Sequence, residues 1–594
     1  MGKHATHVLR FLLDADAKSG AAGRGFLPIR RLIFFFSILL SGSFSYAQQS
    51  ARVAPADILI VHGKIWTVNA KKPWAQSVAI RKGKVVAIGS DEAVEVFRGI
   101  GTKVIDAGGK LVLPGFTDSH IHLTDGGFSL VQANLEGAKN LNEIIGRLRT
   151  YADKNPDDKW ILGSGWNYAM FSPDILPNKK ALDLMFPATP VYLECYDGHT
   201  FWINSKALAL AGITKTTPNP PNGEIVRDAS GEATGVLKES AVELVRAVIP
   251  KTTEVEKLNA LRAAIKWANR NGLTRVHGVS GDFEQLGLFQ ELREDKQLTL
   301  RLRIGYLVSP PELRPQDIES VEAAHKKFHD EWIDVSSVKF FMDGVVESHT
   351  AAFLEPYSDD PSKKGALFWD PEKYRAAVEE LDKRDIQICT HAIGDRAVRT
   401  ALDAYESAEK KNHTKDHRNR VEHIETITAA DIPRFGKLGV IASMQPLHSY
   451  PDEDTLDVWA HNIGPERASR AWVWKDISKE GGHYAFGSDW PVVTLNPWEG
   501  IQTAVTRQTS DGKPSGGFVP SQKLTVAEAV EGYTIGAAYA GHLEKTEGSL
   551  ENGKVADAIV VDRNIFEVDP QTIDQTKVVV TIVGGKIVYE ADNP

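Results

Sequence analysis

The pattern of apolar and polar positions divides the chain into two β-rich ends and a long middle. Residues 56–70 alternate apolar and polar side chains, and glycine-containing turns separate them from two further runs of the same kind. Strict alternation is typical of half-buried antiparallel strands. The runs AIVVD and VVVTIVGGKIVYE repeat the style near the carboxyl terminus. Since neither end has enough strands to enclose a core, we expect a meander in residues 56–112 to join residues 545–594 in one small β-sandwich.

The middle, residues 113–544, repeats a unit of apolar strand, loop and amphipathic helix. Near-continuous apolar runs are typical of parallel strands that are buried on both faces. Helical segments such as residues 370–384 and 253–272 lie between them, and Asn271-Gly272 is a good helix stop. The runs that follow the first strand, which contains LVLPGFTDSHIH, are residues 272–278, 300–307, 335–344, 385–395, 417–426, 438–446 and 482–491.

Eight strand-helix units predict a (β/α)8 TIM barrel, an α/β fold. About 155 residues separate His122 from His277, far more than one unit needs, so we expect a large insertion after strand one, at about residues 130–260. A doubly wound sheet would explain the alternation equally well. It would not explain why ligand-type residues recur at so many strand ends.

Residues 1–47 have the organisation of an export signal. Arg30-Arg31 precede LIFFFSILL, an apolar run too short to span a bilayer, and Ser45 and Ala47 are small residues at the offsets that signal cleavage requires. We therefore expect cleavage near Ala47, a periplasmic location and no stable membrane association afterwards. An uncleaved membrane anchor is the alternative.

The net charge limits the classes of binding partner, and the sequence around each cysteine indicates whether it is free or in a disulfide. The net charge of −9 argues against non-specific binding to nucleic acid, and no basic cluster with interleaved aromatic residues is present. The two cysteines, Cys195 and Cys389, lie in apolar runs, which favours two buried free thiols. A small-molecule substrate is the expected partner, and a homo-oligomer stays open.

The residues that could bind a metal ion lie at the ends of the predicted strands. His120 and His122 are two positions apart, so in a strand they share a face and offer two nitrogen ligands to Zn²⁺. Later strands carry Lys339, His391, His423 and Asp489. Alone, each has a structural explanation, such as a histidine bonded to a carbonyl, a turn cap or a lysine that reaches solvent. Together they favour one metal site, because the carboxyl ends of barrel strands converge on one mouth.

The sequence motifs around these candidate residues resemble those of the amidohydrolase superfamily, and within it those of amidohydrolase family 3, the YtcJ-like proteins. FTDSHIHL is similar to the family's first metal motif, VKFFMDG to its lysine motif, and THAIGDRAV, VEHIE and FGSDWPV to its later metal motifs. GSGWN, DGHTFWINSKAL and TGVLKESA resemble its inserted segment. The resemblance runs from about residue 56 to the end of the chain. It is specific for fold and metal chemistry and unspecific for substrate.

The resemblance implies a metal-dependent hydrolase with one or two Zn²⁺ ions. His120, His122 and Asp489 would hold one ion, and His391 and His423 the second. Lys339 would bridge the two ions as an N6-carboxylated side chain, and without that modification a single-ion site remains. The implied reaction is attack of activated water on an amide-type, non-peptide carbon–nitrogen bond, with Asp489 as the catalytic general base.

Other residues are candidates for the surroundings of the site. We expect His199, Trp166 and Trp490 to contact substrate. Asp343 and Glu422 are expected to orient the ligands. Two other functions stay open: a metal-dependent esterase or lactonase, and a non-catalytic periplasmic binding protein. The retained Asp489 and the four histidines count against the binding protein, since a binder needs no proton acceptor.

Overall fold

The structure is a computed structural model that describes residues 53–171, 176–281 and 283–592 of the 594-residue chain. The predicted export signal at residues 1–47 lies outside the described residues. Within the described ranges, no helix has the length and apolar character that crossing a bilayer requires.

Eight parallel strands form a nearly closed barrel sheet in which neighbours in sequence are neighbours in space. All eight strands predicted from the sequence are present, and the predicted (β/α)8 barrel is confirmed. The first strand is tied to the segment after the last one, because Asp118 accepts hydrogen bonds from the Ser488 hydroxyl at 2.5 Å and the Ser488 backbone amide at 2.9 Å. With strands numbered along the chain, those of the barrel are β8 (Phe116–Ile121), β15 (Leu273–Gly281), β16 (Arg301–Leu307), β17 (Ile333–Phe341), β18 (Gln387–Ala392), β19 (Arg420–His423), β20 (Ile441–Met444) and β21 (His483–Phe486).

Helices cover the outside of the barrel sheet. The helix that leads into β15 begins at a capping box between Thr253 and Glu256 and ends at Asn271, where Gly272 adopts a φ of 85°. This is the stop that the sequence predicts. The barrel helices are α2 (Leu123–Val131), α7 (Glu254–Arg270), α8 (Glu284–Glu294), α9 (Pro315–Lys327), α10 (Pro371–Asp382), α11 (Asp395–Asn412), α12 (Ile432–Leu438), α13 (Ala460–Ala468), α14 (Trp474–Lys479), α15 (Pro497–Thr506), α16 (Val526–Glu531) and α17 (Ala537–Ala540).

Both chain ends contribute to a two-sheet sandwich, as predicted. Ile60 and Val78 of one sheet share an apolar core with Val112, Val560 and Ile582 of the other. The first sheet consists of β1 (Ile58–Val61), β4 (Ser77–Arg81), β5 (Lys84–Gly89) and β6 (Lys103–Asp106), with α1 (Asp91–Glu95) between β5 and β6 in sequence. The second consists of β2 (Lys64–Trp66), β3 (Trp74–Ala75), β7 (Leu111–Pro114), β22 (Ala558–Val561), β23 (Val578–Val583) and β24 (Lys586–Glu590).

The predicted amino-terminal meander is correct for the hairpins β2–β3 and β4–β5 and wrong for the other pairings. β1 pairs with β4 in antiparallel orientation but with β6 in parallel, and β2 pairs in parallel with β7. The reason is that consecutive strands β1 and β2 enter different sheets, so the chain crosses between layers instead of folding back on its neighbour.

The insertion after β8 has a sheet and a core of its own. Trp166, Leu193 and Trp202 are buried together beneath this sheet. Cys195 lies in it and Cys389 lies in β18, and both thiols are free and buried, as predicted. The strands are β9 (Ala133–Asn134), β10 (Ile161–Trp166), β11 (Val191–Cys195), β12 (Thr200–Ile203), β13 (Gly223–Arg227) and β14 (Ala233–Glu239), and the helices are α3 (Leu141–Lys154), α4 (Lys179–Met185), α5 (Ser205–Leu210) and α6 (Glu243–Arg246). The domain limits given in the sequence analysis remain predictions.

Candidate metal centre

Three buried side chains meet at the carboxyl ends of the barrel strands. His120 of β8, His423 of β19 and Asp489, three residues beyond β21, each offer one ligand atom, and these atoms lie within 4.8 Å of one another. His120 Nε2 is 3.3 Å from Asp489 Oδ1. The backbones of His423 and Asp489 adopt φ values of 74° and 63°. Such values are uncommon for residues with a side chain and persist where the surrounding structure holds the backbone in place.

His122 and Lys339 join this group from two sides. His122 follows the end of β8, and its Nε2 lies 2.9 Å from the same Asp489 Oδ1 that His120 approaches. Lys339 Nζ lies 3.3 Å from His120 Nε2, and its side chain is fully buried. Burial lowers the pKa of Lys339, which favours its neutral amine.

His391 lies beside the group rather than within it. Its ring stands nearly perpendicular to that of His423, with the centroids 4.6 Å apart. His391 Nε2 is 3.1 Å from the Gly344 carbonyl oxygen and 3.7 Å from Asp343 Oδ1. The barrel thus brings all six candidate ligands to one mouth, and three of them converge most closely.

A buried carboxylate orients His120. Glu422 Oε2 lies 2.6 Å from His120 Nδ1, and Glu422 Oε1 lies 2.8 Å from Arg420 Nε. Burial acts to raise the pKa of Glu422, but Arg420 and His120 hold it well below its usual range. Glu422 is therefore ionised and accepts a hydrogen bond from His120 Nδ1–H, which leaves Nε2 as the nitrogen that faces Asp489.

The donor set fits a divalent metal ion. Burial lowers the pKa of both His120 and His423, so both imidazoles are neutral and retain a lone pair. His423 Nδ1 is 2.9 Å from Gln445 Oε1, and His423 Nε2 is buried with no hydrogen-bond partner among the described residues. Burial acts to raise the pKa of Asp489, but His120 and His122 hold it well below its usual range. Two neutral imidazoles and one carboxylate form a ligand set that Zn²⁺ prefers.

The candidate ligands line the floor of a cavity of about 1210 Å³ that the barrel and the insertion enclose. His199, from the insertion, lies on the wall, where its Nδ1 is 2.9 Å from Glu239 Oε2 and its ring centroid is 5.8 Å from that of His391. Burial acts to lower the pKa of His199, but the charge and hydrogen bond of Glu239 raise it to about 9. His199 thus lines the cavity, and its contact with substrate remains a prediction.

The two tryptophans predicted to contact substrate lie elsewhere. Trp166 is fully buried in the core of the insertion, where its indole Nε1 donates to the Leu193 carbonyl oxygen. Trp490 packs its ring against Gly126 of α2, so tightly that a Cβ atom at Gly126 would lie 2.1 Å from the ring. Neither residue lines the cavity. The reason is that both indoles fill gaps between packed elements, the commoner fate of a large apolar ring.

Sequence reasoning missed His448 and Glu425, both of which line the cavity. The His448 ring is parallel to that of His423, and its Nε2 lies 3.7 Å from Asp489 Oδ2. His448 Nδ1 lies 3.5 Å from Glu425 Oε1, and Glu425 accepts a 2.6 Å hydrogen bond from Trp459 Nε1. His448 lies in the turn Pro446–Ser449 after β20, beyond the predicted run 438–446, so a rule that reads only the ends of the strands does not reach it.

Comparison with known proteins agrees with this geometry. The sequence model that describes the Amidohydrolase family matches residues 103–589 of this chain. The putative amidohydrolase YtcJ of Bacillus subtilis is 30% identical over 535 residues, which cover 89% of this chain and 98% of the relative. The N-substituted formamide deformylase of Arthrobacter pascens is 25% identical over 543 residues, which cover 90% and 98% of the two chains.

A solved structure extends the likeness to three dimensions. An uncharacterized metal-dependent hydrolase from Pyrococcus horikoshii superposes with a TM-score of 0.69 at 27% sequence identity, over 86% of this chain and 99% of that one. The resemblance to YtcJ-like proteins that the sequence motifs indicate is confirmed. The chain belongs to the amidohydrolase family and is a metal-dependent hydrolase.

Proposed function

We propose that this protein hydrolyses an amide-type, non-peptide carbon–nitrogen bond of a small molecule, with one or two divalent ions held by the candidate ligands. The observation that carries the proposal is the cluster of His120, His423 and ionised Asp489 at the mouth of the barrel. The similarity to a protein named N-substituted formamide deformylase supports the same type of bond.

Asp489 is placed to move the proton that the reaction transfers. A bound divalent ion supplies polarisation of the acyl oxygen and lowers the pKa of water to about 7. Asp489 Oδ1 lies 3.3 Å from His120 Nε2 and 2.9 Å from His122 Nε2, whereas Oδ2 lies 3.7 Å from both His423 Nδ1 and His448 Nε2. In this proposal Asp489 accepts the proton of the attacking water and passes it to the leaving nitrogen, and Oδ2, the oxygen with the more distant neighbours, takes that role.

Lys339 is the proposed site of N6-carboxylation. The modification joins the neutral amine nitrogen to the carbon of CO₂ and releases one proton. Full burial and a lowered pKa favour the neutral amine, and the short distance to His120 places the new carboxylate beside the other ligands. Without the modification, Lys339 supplies no carboxylate to bridge two ions, which leaves the single-ion arrangement.

Export to the periplasm, with cleavage near Ala47, is part of the proposal and is supported by the charged and apolar segments before that residue.

A panel of small substrates tests the proposed function. The mature protein, purified without chelator, is assayed on N-butylformamide, N-butylacetamide and δ-valerolactam, and in parallel on butyl formate and δ-valerolactone. We expect turnover of at least one amide, its loss after chelation and its return when Zn²⁺ is added. Turnover of the esters or lactone alone would support the esterase or lactonase instead. Binding of amides without turnover would support the binding protein.

A further inference from the structure

His325, His329 and Asp334 form a second cluster of ligand-type side chains, away from the mouth of the barrel. Each offers one ligand atom, and these atoms lie within 4.8 Å of one another. His325 lies in the last turn of α9, and Asp334 is the second residue of β17. Lys339 follows Asp334 by five residues along the same strand, so about 16 Å of strand separates this cluster from the candidate metal centre.

A tight turn between α9 and β17 brings the three residues together. The Val335 backbone amide donates to the Phe328 carbonyl oxygen at 2.9 Å, and His329 forms an antiparallel bridge with Asp334. The rings of His325 and His329 lie side by side, with their centroids 4.3 Å apart. The backbone of the turn therefore fixes the relative positions of the two imidazoles.

Hydrogen bonds occupy the same nitrogen, Nδ1, of both rings. His325 Nδ1 lies 2.6 Å from the Val335 carbonyl oxygen, and His329 Nδ1 lies 2.7 Å from Asp334 Oδ1. A carbonyl oxygen or an ionised carboxylate can only accept, so each Nδ1 carries the hydrogen and the neutral ring has its lone pair on Nε2. Since both Nδ1 atoms face the strand, both Nε2 atoms face away from it. No hydrogen bond to either Nε2 is found among the described residues.

Asp334 is held as a carboxylate behind His329. Its side chain is buried, and its Oδ2 accepts hydrogen bonds from the Arg303 guanidinium and the Ser336 hydroxyl. Burial acts to raise the pKa of Asp334, but Arg303, Ser336 and His329 hold it below its usual range. A carboxylate that accepts from the far nitrogen of a histidine orients the ring and makes its other nitrogen a stronger metal ligand.

We propose that His325 and His329 form an outer metal site that binds a divalent transition ion, such as Zn²⁺ or Ni²⁺, through their Nε2 atoms, with Asp334 as the positioning residue of His329. Imidazole nitrogen is a ligand that suits zinc, copper and nickel. The His329 side chain is 65% exposed, so the ion enters directly from solvent and water completes its coordination.

The outer metal site differs from the candidate metal centre in how firmly it holds its ion. It has two protein ligands at a solvent-exposed position, whereas the ligands at the mouth of the barrel are more numerous and mostly buried. The outer site should therefore release its ion on desalting, while the buried centre keeps its own. The inference does not depend on the proposed amide hydrolysis.

Equilibrium dialysis with Ni²⁺ tests the outer metal site. The mature protein is loaded with Zn²⁺, desalted and dialysed against increasing Ni²⁺, and elemental analysis gives the bound Ni²⁺ and the retained Zn²⁺. We expect the wild type to bind one equivalent of Ni²⁺ without releasing Zn²⁺. His325→Ala and His329→Ala should each lower the Ni²⁺ affinity by at least about tenfold, and Asp334→Asn by about tenfold.

His461→Ala is the matched control for these variants. His461 is an exposed histidine of α13 with no other histidine three or four positions away, so its removal should leave Ni²⁺ binding unchanged. The urea midpoint without Ni²⁺ identifies the variants that fold. Because His329 is largely exposed, His329→Ala in particular should keep the wild-type midpoint.

The urea midpoint in the presence of Ni²⁺ separates a built site from scattered binding. An ion that binds only the folded protein stabilises it, so at free Ni²⁺ of about 100 times Kd the unfolding equilibrium constant should fall about 100-fold. The midpoint of the Zn²⁺-loaded protein should therefore rise with Ni²⁺ in the wild type and in His461→Ala. It should not rise in His325→Ala or His329→Ala.

Three results would overturn the inference. These are Ni²⁺ affinities of His325→Ala and His329→Ala within about twofold of wild type, no saturable binding below about 1 mM, and release of one Zn²⁺ for each Ni²⁺ bound, which would place the ion at the mouth of the barrel. None of them bears on amide hydrolysis, which the substrate panel tests separately.

Discussion

Replacement of Glu422 by glutamine probes how the barrel holds its first ligand. Glu422 is fully buried between His120 and Arg420, at 2.6 and 2.8 Å. Removing one partner of a buried ion pair costs about 3–5 kcal/mol of folding free energy, because the remaining charge is left uncompensated. Arg420 keeps hydrogen bonds to the Ser119 carbonyl and the Ser443 hydroxyl, so we expect a loss near the lower limit, about 3 kcal/mol.

The same substitution should weaken metal binding. A neutral amide at position 422 no longer fixes the tautomer of His120 by charge, and loss of such an orienting partner lowers metal affinity by about 10- to 100-fold. Urea unfolding of the metal-free protein gives the stability change, and competition with a chromophoric Zn²⁺ chelator gives the affinity. Glu95→Gln is the control, since Glu95 pairs with Arg98 on the exposed surface and should give no measurable change in either quantity.

The pH dependence of this effect has a definite sign. The pKa of Glu422 is lowered in the folded state, so its stabilisation is complete above the unfolded pKa of about 4.3 and is lost as the pH falls towards the folded value. The difference in unfolding free energy between wild type and Glu422→Gln should therefore shrink with acidification below about pH 4.3. A variant within 0.5 kcal/mol of wild type at pH 7, with metal affinity within about twofold, would refute the reasoning.

Substitutions at three further residues test single roles. Asp489→Asn should lower kcat by about 10²- to 10⁴-fold on the amide cleaved by the wild type, and a variant that keeps both metal and turnover would exclude the general-base role. Lys339→Ala should lose metal and turnover and be partly restored by added propionate, which supplies a carboxylate in place of the carboxylated lysine. Lys339→Arg as active as wild type would contradict that assignment. Trp166→Phe should reduce the unfolding free energy by about 1 kcal/mol, through loss of the hydrogen bond to Leu193, and leave kcat/KM unchanged, whereas a selective rise in KM would show a substrate contact after all.

The fold was largely predictable because the buried strands of a barrel have a recognisable sequence pattern. Apolar runs of seven to eleven residues recur with helices between them, and near-continuous apolar runs are typical of parallel strands that are packed on both faces. The positions of His120, His391 and His423 follow from the same logic, since a barrel fixes where the strand ends meet. Pairing in the amino-terminal sheets was not predictable, because alternation identifies a strand but not its neighbours.

The rest of the site depends on contacts that no sequence pattern records. Tryptophan is a residue type that often contacts ligands, yet the orientation of the Trp166 ring is determined by how the strands of the insertion pack. Glu239 lies in a segment that the sequence analysis had singled out, but its pairing with His199 needs the register of β12 and β14. His448 reaches Asp489 through a loop whose path only the structure shows.

The central claim is that residues distant in sequence hold a catalytic metal at one mouth of the barrel. The most direct test is elemental analysis of the mature protein, purified without chelator, with turnover measured on the same sample, for wild type and His120→Ala. We predict one or two equivalents of a transition metal in the wild type and loss of both metal and turnover in the variant. A fully active wild type that contains no transition metal would contradict the account.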